Sequence, residues 1–171
     1  MTASEARRQN GTALMPERHY WDTTAWLAYE AELGGEAGPM SGLMASVERG
    51  EVQLLFSAIT FAEVLFRPAA RPPRPWPDPH PLDGIFDAAG LSLVQIDREV
   101  GEIARRFRRT YAIKTPDALH LACAAYYNAD FLISRDSDLL RIRRDDVRRR
   151  DEVPLKIRRH NELAGGLFEQ R

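Results

Sequence analysis

The sequence has almost no cysteine and no long apolar run. Cys123 is the only cysteine among 171 residues, so an intramolecular disulfide is impossible and a zinc site built from several thiolates is excluded. No apolar run reaches the roughly 18 residues that a membrane span needs, and the first 18 residues lack the apolar stretch of a signal peptide. We therefore expect a cytoplasmic protein that does not enter a membrane.

The chain also has little net charge, a formal −1 from 24 basic and 25 acidic side chains. The charge is unevenly distributed, because residues 141–171 hold 10 basic and 6 acidic side chains and the remainder is acidic. Seven of the eleven prolines lie between Pro68 and Pro81, where they exclude regular helix and central strand. We expect an N-terminal extension (1–18), a globular domain (19–142) with a stiff proline-rich excursion (68–81), and a basic C-terminal segment (143–171).

Apolar segments typical of strands alternate with segments typical of helices. The strands are predicted at residues 19–21, 52–56, 91–96 and 129–134, and caps for the intervening helices are expected at Thr23 or Thr24, Ser41, Asp97 and Thr115. This alternation indicates an α/β fold with a mainly parallel sheet that is covered on both faces. Ligands of such sheets collect at the carboxyl ends of the strands.

Four acidic residues stand in apolar or junction positions rather than in polar surroundings. Asp22 and Asp136 follow predicted strands, Asp117 lies in the first turn of a helix, and Glu63 interrupts an apolar helix. Carboxylates that converge near an apolar interior need pairing, protonation or a cation. Mg²⁺ or Mn²⁺ suits an all-oxygen site of this kind and activates water for attack on a phosphodiester.

Each aspartate also has a purely structural interpretation. Asp22 and Asp136 are suitable helix caps, and Asp117 would gain from the helix dipole without any catalytic role. Capping does not explain Glu63. The four acids taken together, rather than any one of them, favour the metal site.

Four blocks of sequence resemble a PIN domain of the VapC toxin type. They are YWDTT at 20–24, SAITFAEV at 57–64, TPDALHLA at 115–122 and ADFLISRDSDL at 129–139. The blocks occur in the family's order over residues 19–142. The bulky Trp21 departs from the pattern, since the family more often has a smaller aliphatic residue there.

The resemblance implies a three-layer α/β/α fold and a Mg²⁺- or Mn²⁺-dependent endoribonuclease, usually a homodimer and usually paired with an antitoxin protein. Asp22, Glu63, Asp117 and Asp136 match the family's acidic quartet, and Asp138 is a further candidate ligand that also suits a helix cap. Thr24 matches a supporting hydroxyl position, and His120 a histidine that we expect to form hydrogen bonds rather than to bind metal.

Arginines that follow the last acidic block suit contacts with an RNA backbone. Arg141, Arg143 and Arg144 are the candidates, although neighbouring acids neutralise part of this charge. Arg105 to Arg109 on a predicted helix are interpreted mainly as a solvated face.

Two alternatives remain open from the sequence. A catalytically inactive PIN-like module would bind RNA or a protein without turnover. Another acidic-site α/β protein fits less well, since a dehalogenase-type phosphatase wants a second aspartate where Thr24 stands and a receiver domain wants a late lysine that neither Lys114 nor Lys156 provides.

Overall fold

The structure is a computed structural model that describes residues 15–33, 35–64, 82–143 and 146–162. The proline-rich excursion at 68–81, most of the N-terminal extension, Arg144 and the end of the basic segment lie outside the described residues.

A five-stranded, all-parallel sheet forms the centre of the domain, with strand order β3-β2-β1-β4-β5. The strands are β1 (Glu17–Trp21), β2 (Val52–Ser57), β3 (Leu91–Val94), β4 (Phe131–Ile133) and β5 (Lys156–Arg158). The parallel α/β sheet predicted from the sequence is confirmed. β5 was not predicted, because it is a short edge strand within a segment that was interpreted by its charge.

Seven α-helices are described within these ranges. They are α1 (Thr23–Leu33), α2 (Pro39–Glu48), α3 (Ala58–Val64), α4 (Asp83–Phe86), α5 (Arg98–Tyr111), α6 (Thr115–Tyr126) and α7 (Ser137–Leu140), and a 3₁₀ turn follows at His160–Glu162. None of the described helices is long and apolar enough to cross a membrane.

The helix starts differ from prediction in which side chain caps them. Asp97 caps α5 as predicted, accepting a 2.9 Å hydrogen bond from the amide of Val100. The amide of Ala25 in α1 donates to Asp22 rather than to a threonine. The first amides of α2, which include that of Met40, donate to Glu32 rather than to the predicted cap Ser41. Asp22 is the other cap that the sequence offered for α1, whereas Glu32 lies near the end of the preceding helix, outside the local spacing of a cap.

Side chains alternate between the two faces of the sheet and build two separate cores. Tyr20 points into a core shared with α5 and α6, whereas Trp21 points into a core shared with α1 and α2. The domain is therefore a three-layer α/β/α arrangement. Trp21, the departure from the family pattern, is 1% exposed and packs edge-on against Trp26 with ring centroids 5.0 Å apart.

The edge strand β5 is held in place by an arginine buried against β4. The guanidinium of Arg149 contacts Asp130 just before β4 and Asp151 in its own segment, each at 2.6 Å. Its side chain is 9% exposed, so its ion pairs are largely shielded from water, unlike those of exposed surface side chains. Part of the basic segment is consequently packed on the domain.

Candidate metal centre

Two neighbouring parallel strands deliver the first acidic groups to one edge of the sheet. β1 pairs with β4 so that Trp21 lies beside Ile133, and the next residues of the two strands, Asp22 and Ser134, are therefore neighbours. The Ser134 hydroxyl donates to Asp22 Oδ2 at 2.5 Å and accepts from the amide of Asp136 at 2.9 Å. One buried serine thus connects two of the predicted acids, which are 114 positions apart in sequence.

Asp22 is buried, with 2% exposure, and its carboxylate is held by several donors. Its Oδ1 atom accepts from the Thr24 hydroxyl at 2.7 Å and from the Ala25 amide at 2.9 Å. Burial raises the pKa of Asp22, against the lowering effects of His120 and of these hydrogen bonds. Asp22 is therefore a helix cap that lies beside the loop of Asp136, so its capping role is compatible with the metal-site interpretation from the sequence.

Thr24 supports Asp22 in the way expected for the hydroxyl next to it. Its Oγ1 atom donates to Asp22 and accepts a 2.7 Å hydrogen bond from the amide of Arg135. The start of α1 is thereby tied to the loop that carries Asp136.

The closest group of potential ligands in the described part of the chain is formed by Asp117, Asp136 and Asp138. One carboxylate oxygen from each lies within 4.8 Å of the others, and all three side chains are half-buried. Asp136 Oδ1 accepts from the Asp138 amide at 2.6 Å and caps α7. Asp138 is therefore not the cap of this short helix, and its own carboxylate faces the cluster and Arg141, at 3.2 Å.

Asp117 provides the test of whether these residues suit a cation. Its Oδ2 atom is buried and has no hydrogen-bond partner among the described residues. Burial raises the pKa of Asp117, and the negative charge of Asp136 raises it further. A buried carboxylate oxygen without a donor costs about 1–3 kcal/mol, and a hard divalent cation with oxygen ligands removes this cost. The donor set therefore fits Mg²⁺ or Mn²⁺.

Glu63 is placed differently from the three clustered aspartates. Its Oε2 atom accepts from the Thr23 hydroxyl and lies 3.0 Å from His120 Nε2. The hydrogen bond with His120 lowers the pKa of Glu63. The geometry gives this carboxylate two protein partners and leaves it, like Asp22, outside the group of three.

His120 connects Glu63 to a buried hydroxyl chain below the site. Its Nδ1 atom lies 3.0 Å from the Tyr20 hydroxyl, which in turn lies 2.7 Å from Ser57 Oγ. In the tautomer with its proton on Nε2, His120 donates to Glu63 and its Nδ1 atom accepts from the Tyr20 hydroxyl. Each polar group from Glu63 to Ser57 then has a hydrogen-bond partner. His120 has the hydrogen-bonding position expected for it and is not one of the clustered ligand residues.

The arginines expected to bind RNA have unequal surroundings. Arg141 pairs with Asp138 and donates to the Tyr111 carbonyl at 3.4 Å, whereas Arg143 is exposed. Arg144 lies outside the described residues. Arg141 thus lies beside the acidic cluster and balances part of its charge.

Three polar residues of this site were missed by the sequence analysis, namely Ser134, Thr23 and Tyr20. Ser134 had a usable signal, since it ends an apolar strand two residues before Asp136. Thr23 was considered only as a cap, and Tyr20 only as a strand residue.

Comparisons with known proteins agree with this architecture. Residues 20–145 match the family described as PIN domain. A chain from the structure described as VapBC2 from Rickettsia felis bound to a DNA fragment from its promoter aligns with a TM-score of 0.53 and 12% identity, covering 83% of this chain and 98% of that one. A chain from a toxin-antitoxin complex from Klebsiella pneumoniae aligns with a TM-score of 0.49 and 20% identity, covering 72% and 92%. No curated protein matches the sequence.

Proposed function

The chain belongs to the PIN-domain family, and we propose on that premise that it is a Mg²⁺- or Mn²⁺-dependent endoribonuclease, the toxin of a toxin-antitoxin pair. The observation that carries the proposal is the group of Asp117, Asp136 and Asp138, with a buried oxygen of Asp117 that has no partner among the described residues. A fold supports many functions, but this donor set supports few.

Asp117, Asp136 and Asp138 would hold the cation, with Asp22 next to them through Ser134. A bound divalent ion supplies Lewis-acid polarisation of a phosphoryl oxygen and a water of lowered pKa. Ionised aspartates at this edge would orient that ion and keep it at a fixed position relative to the RNA backbone.

Asp22, Thr24 and Ser134 would keep the site in shape during the reaction. The three hydrogen bonds to Asp22 leave its carboxylate little rotational freedom. A site built in this way has its charges oriented before substrate arrives, and such preorganisation is the main source of electrostatic catalysis.

Glu63 would remain ionised at neutral pH because its pKa is lowered by His120. It adds a negative charge at the start of α1, where its partner Thr23 directly follows Asp22. Its contacts with Thr23 and His120 join α3, α1 and α6 around the site.

Substrate contacts are proposed for Arg141 and Arg143, which follow the acidic loop. Arg141 lies within 3.2 Å of Asp138, so it can offset repulsion between the acidic site and a phosphate. Guanidinium groups bind phosphate through paired hydrogen bonds.

A cognate antitoxin and a second copy of the chain are the proposed protein partners. Support for the antitoxin comes from the fold match to a chain of the VapBC2 structure from Rickettsia felis. We propose the homodimer on the family resemblance.

The decisive experiment is cleavage of total RNA by the purified chain with MgCl₂, with MnCl₂ and with EDTA. We expect cleavage only with a divalent ion, and its loss in Asp22→Asn and in Asp117→Asn. Asp87→Asn is the matched control, because Asp87 is exposed and lies outside the acidic cluster. Activity that survives both site substitutions would refute the proposed function.

Calorimetric titration with MnCl₂ separates the enzyme from an inactive PIN-like module. Saturable binding that Asp117→Asn abolishes supports the metal site. Wild-type protein that binds no Mn²⁺ would identify the inactive module instead.

A further inference from the structure

A pair of adjacent surface grooves lies on α5, α6 and the segment that precedes β5. The larger has a volume of about 670 Å³ and the smaller about 480 Å³, and Ile103, Arg106, Thr110 and Tyr126 line both. Neither lining includes a residue of the acidic cluster. The metal centre therefore does not account for these grooves.

The larger groove is lined by three arginines that have no partner among the residues that the structure describes. Arg105, Arg106 and Arg109 are exposed and form no ion pair or hydrogen bond within the described parts of the chain. The two acids in the same lining are engaged, since Glu102 pairs with Arg98 at 2.9 Å and Glu99 accepts from the Tyr126 hydroxyl at 2.5 Å. The three arginines outnumber the carboxylate of Glu99, whose partner is neutral, so the lining keeps a positive charge.

The aromatic ring in the shared wall of the grooves, that of Tyr126, packs against an arginine of the smaller groove. The guanidinium of Arg150 lies over the ring of Tyr126, 4.7 Å from its centroid. Arg150 comes from the segment before β5 and Tyr126 from the end of α6, so cationic groups approach the groove from two sides. Asp146 and Glu152 line only the smaller groove.

We infer that the groove lined by Arg105, Arg106, Arg109 and Tyr126 is a second RNA-binding surface, which holds backbone phosphates of the RNA away from the metal centre. This inference rests on the proposed ribonuclease function for the identity of its ligand. Arginine suits the role, because its fork binds phosphate and its plane stacks on unpaired bases. Tyr126 adds a ring of the kind on which single-stranded bases stack.

An acidic protein partner fits this surface less well than RNA does. Protein interfaces depend on apolar or aromatic anchors that become buried on binding. Among the described residues the exposed large hydrophobic side chains are Met15, Leu27, Leu33, Leu93 and Val153, and none of them lines either groove. The larger groove offers three arginines and the ring of Tyr126, which match a phosphate backbone and an unpaired base.

The test is binding of a fluorescein-labelled 30-nucleotide oligouridylate to the full chain in EDTA, measured by fluorescence anisotropy between 50 and 300 mM KCl. Without a divalent ion the RNA is not cleaved, so the result does not depend on the proposed activity. The test variant is Arg105→Gln/Arg106→Gln/Arg109→Gln. The slope of log affinity against log salt is negative, and its magnitude decreases by about 0.7 for every phosphate that the protein no longer neutralises. For the test variant the magnitude should therefore decrease by about 2, and the Kd at 0.1 M salt should rise on the order of 100-fold.

The matched control is Arg49→Gln/Arg108→Gln/Lys156→Gln, which removes the same net charge. These side chains are exposed and none lines the grooves, so we expect its Kd to stay much closer to the wild-type value and its salt slope to change little. If the test variant unfolds, the single variants Arg105→Gln and Arg109→Gln replace it, with a rise of about fivefold expected from each.

Three results would overturn the inference. Wild-type protein that does not bind the oligouridylate would do so, as would a test variant that behaves like its control. A 30-residue polyglutamate that binds more tightly than the RNA, with the same dependence on the three arginines, would assign the groove to an acidic protein. Loss of RNA cleavage with intact groove binding would count against the proposed function alone.

Discussion

The substitution Asp117→Asn should make the metal-free protein more stable while it abolishes metal binding. The wild-type side chain has a buried oxygen without a partner in the described chain and a pKa raised by burial and by Asp136. Asparagine keeps a polar atom at this position but has no charge, so the substitution removes the desolvation of a carboxylate and its repulsion by Asp136, a gain of about 1–3 kcal/mol. Removing a negative charge from the first turn of α6 costs about 0.3–1 kcal/mol. The net gain in the free energy of unfolding is about 1 kcal/mol, which corresponds to a rise in Tm of roughly 2–4 °C for a chain of this size.

The order of stability should reverse when metal is added. A ligand at 100 times its Kd stabilises the native state by about 2.7 kcal/mol, and only the wild-type protein should receive this gain from MnCl₂. Urea unfolding in EDTA and in MnCl₂ measures the difference in the free energy of unfolding between the two proteins, and this difference should have opposite signs in the two buffers. Glu99→Gln is the control, because Glu99 lies in the first turn of α5 and already has a hydrogen-bond donor in Tyr126. This variant removes a charge from the start of a helix without removing an unpaired oxygen. It should be destabilised by a few tenths of a kcal/mol in both buffers.

The pH dependence in EDTA gives a second check on the same reasoning. A folded-state pKa above the unfolded value means that the folded protein binds the proton more tightly, so this component of stability is present at low pH and lost as pH rises through the raised pKa. The advantage of Asp117→Asn should therefore shrink as pH falls from 7. If Asp117→Asn is instead less stable than wild type in EDTA at pH 7, Asp117 has a structural role and the assigned reason for a cation fails.

The remaining predictions concern the buried hydroxyls and the pH range of metal binding. Ser134→Ala leaves Asp22 without one donor and should lower the free energy of unfolding by about 1–3 kcal/mol in urea titrations, whereas the exposed Ser137→Ala should change it little; equal effects would contradict the bridging role. Tyr20→Phe deprives Ser57 and His120 of a buried partner, with an expected decrease of about 1–3 kcal/mol by the same measurement, and an unchanged midpoint would contradict it. Mn²⁺ affinity measured by calorimetry should begin to fall at a pH above the ordinary aspartate value of about 3.9, because protonation of a clustered carboxylate with a raised pKa removes a ligand; an affinity that stays flat down to that value would contradict the shift.

The sequence predicted the location of those acids that directly follow a strand of the parallel sheet. Apolar segments followed by aspartates indicated Asp22 and Asp136 at the same edge of a parallel sheet, and the structure links both to Ser134. The alternation of strands and helices was sufficient for the parallel sheet, because crossover connections bring the carboxyl ends of the strands together.

What the sequence did not predict depends on contacts between distant residues. The pairing of Glu63 with His120 joins residues 57 positions apart, and the bond between Ser134 and Asp22 joins residues 112 apart. The edge strand β5 has only three residues and is placed by its pairing with β4, and the preceding Arg149 contacts Asp130, 19 positions away. Local sequence patterns carry no information on such distant partners. Which acids cluster and which are paired within the protein could therefore be learned only from the structure.

The surroundings of the acids divide them into two kinds. Glu63 has partners within the protein, Thr23 and His120, and its pKa is lowered, so its charge is stable without a metal. Asp22 and Asp117 have pKa values raised by burial, and Asp117 keeps an oxygen with no partner in the described chain. Groups whose environments move their pKa values apart differ in role. Asp117 is therefore the acid whose charge a bound cation would compensate, whereas Glu63 is already compensated by its partners within the fold.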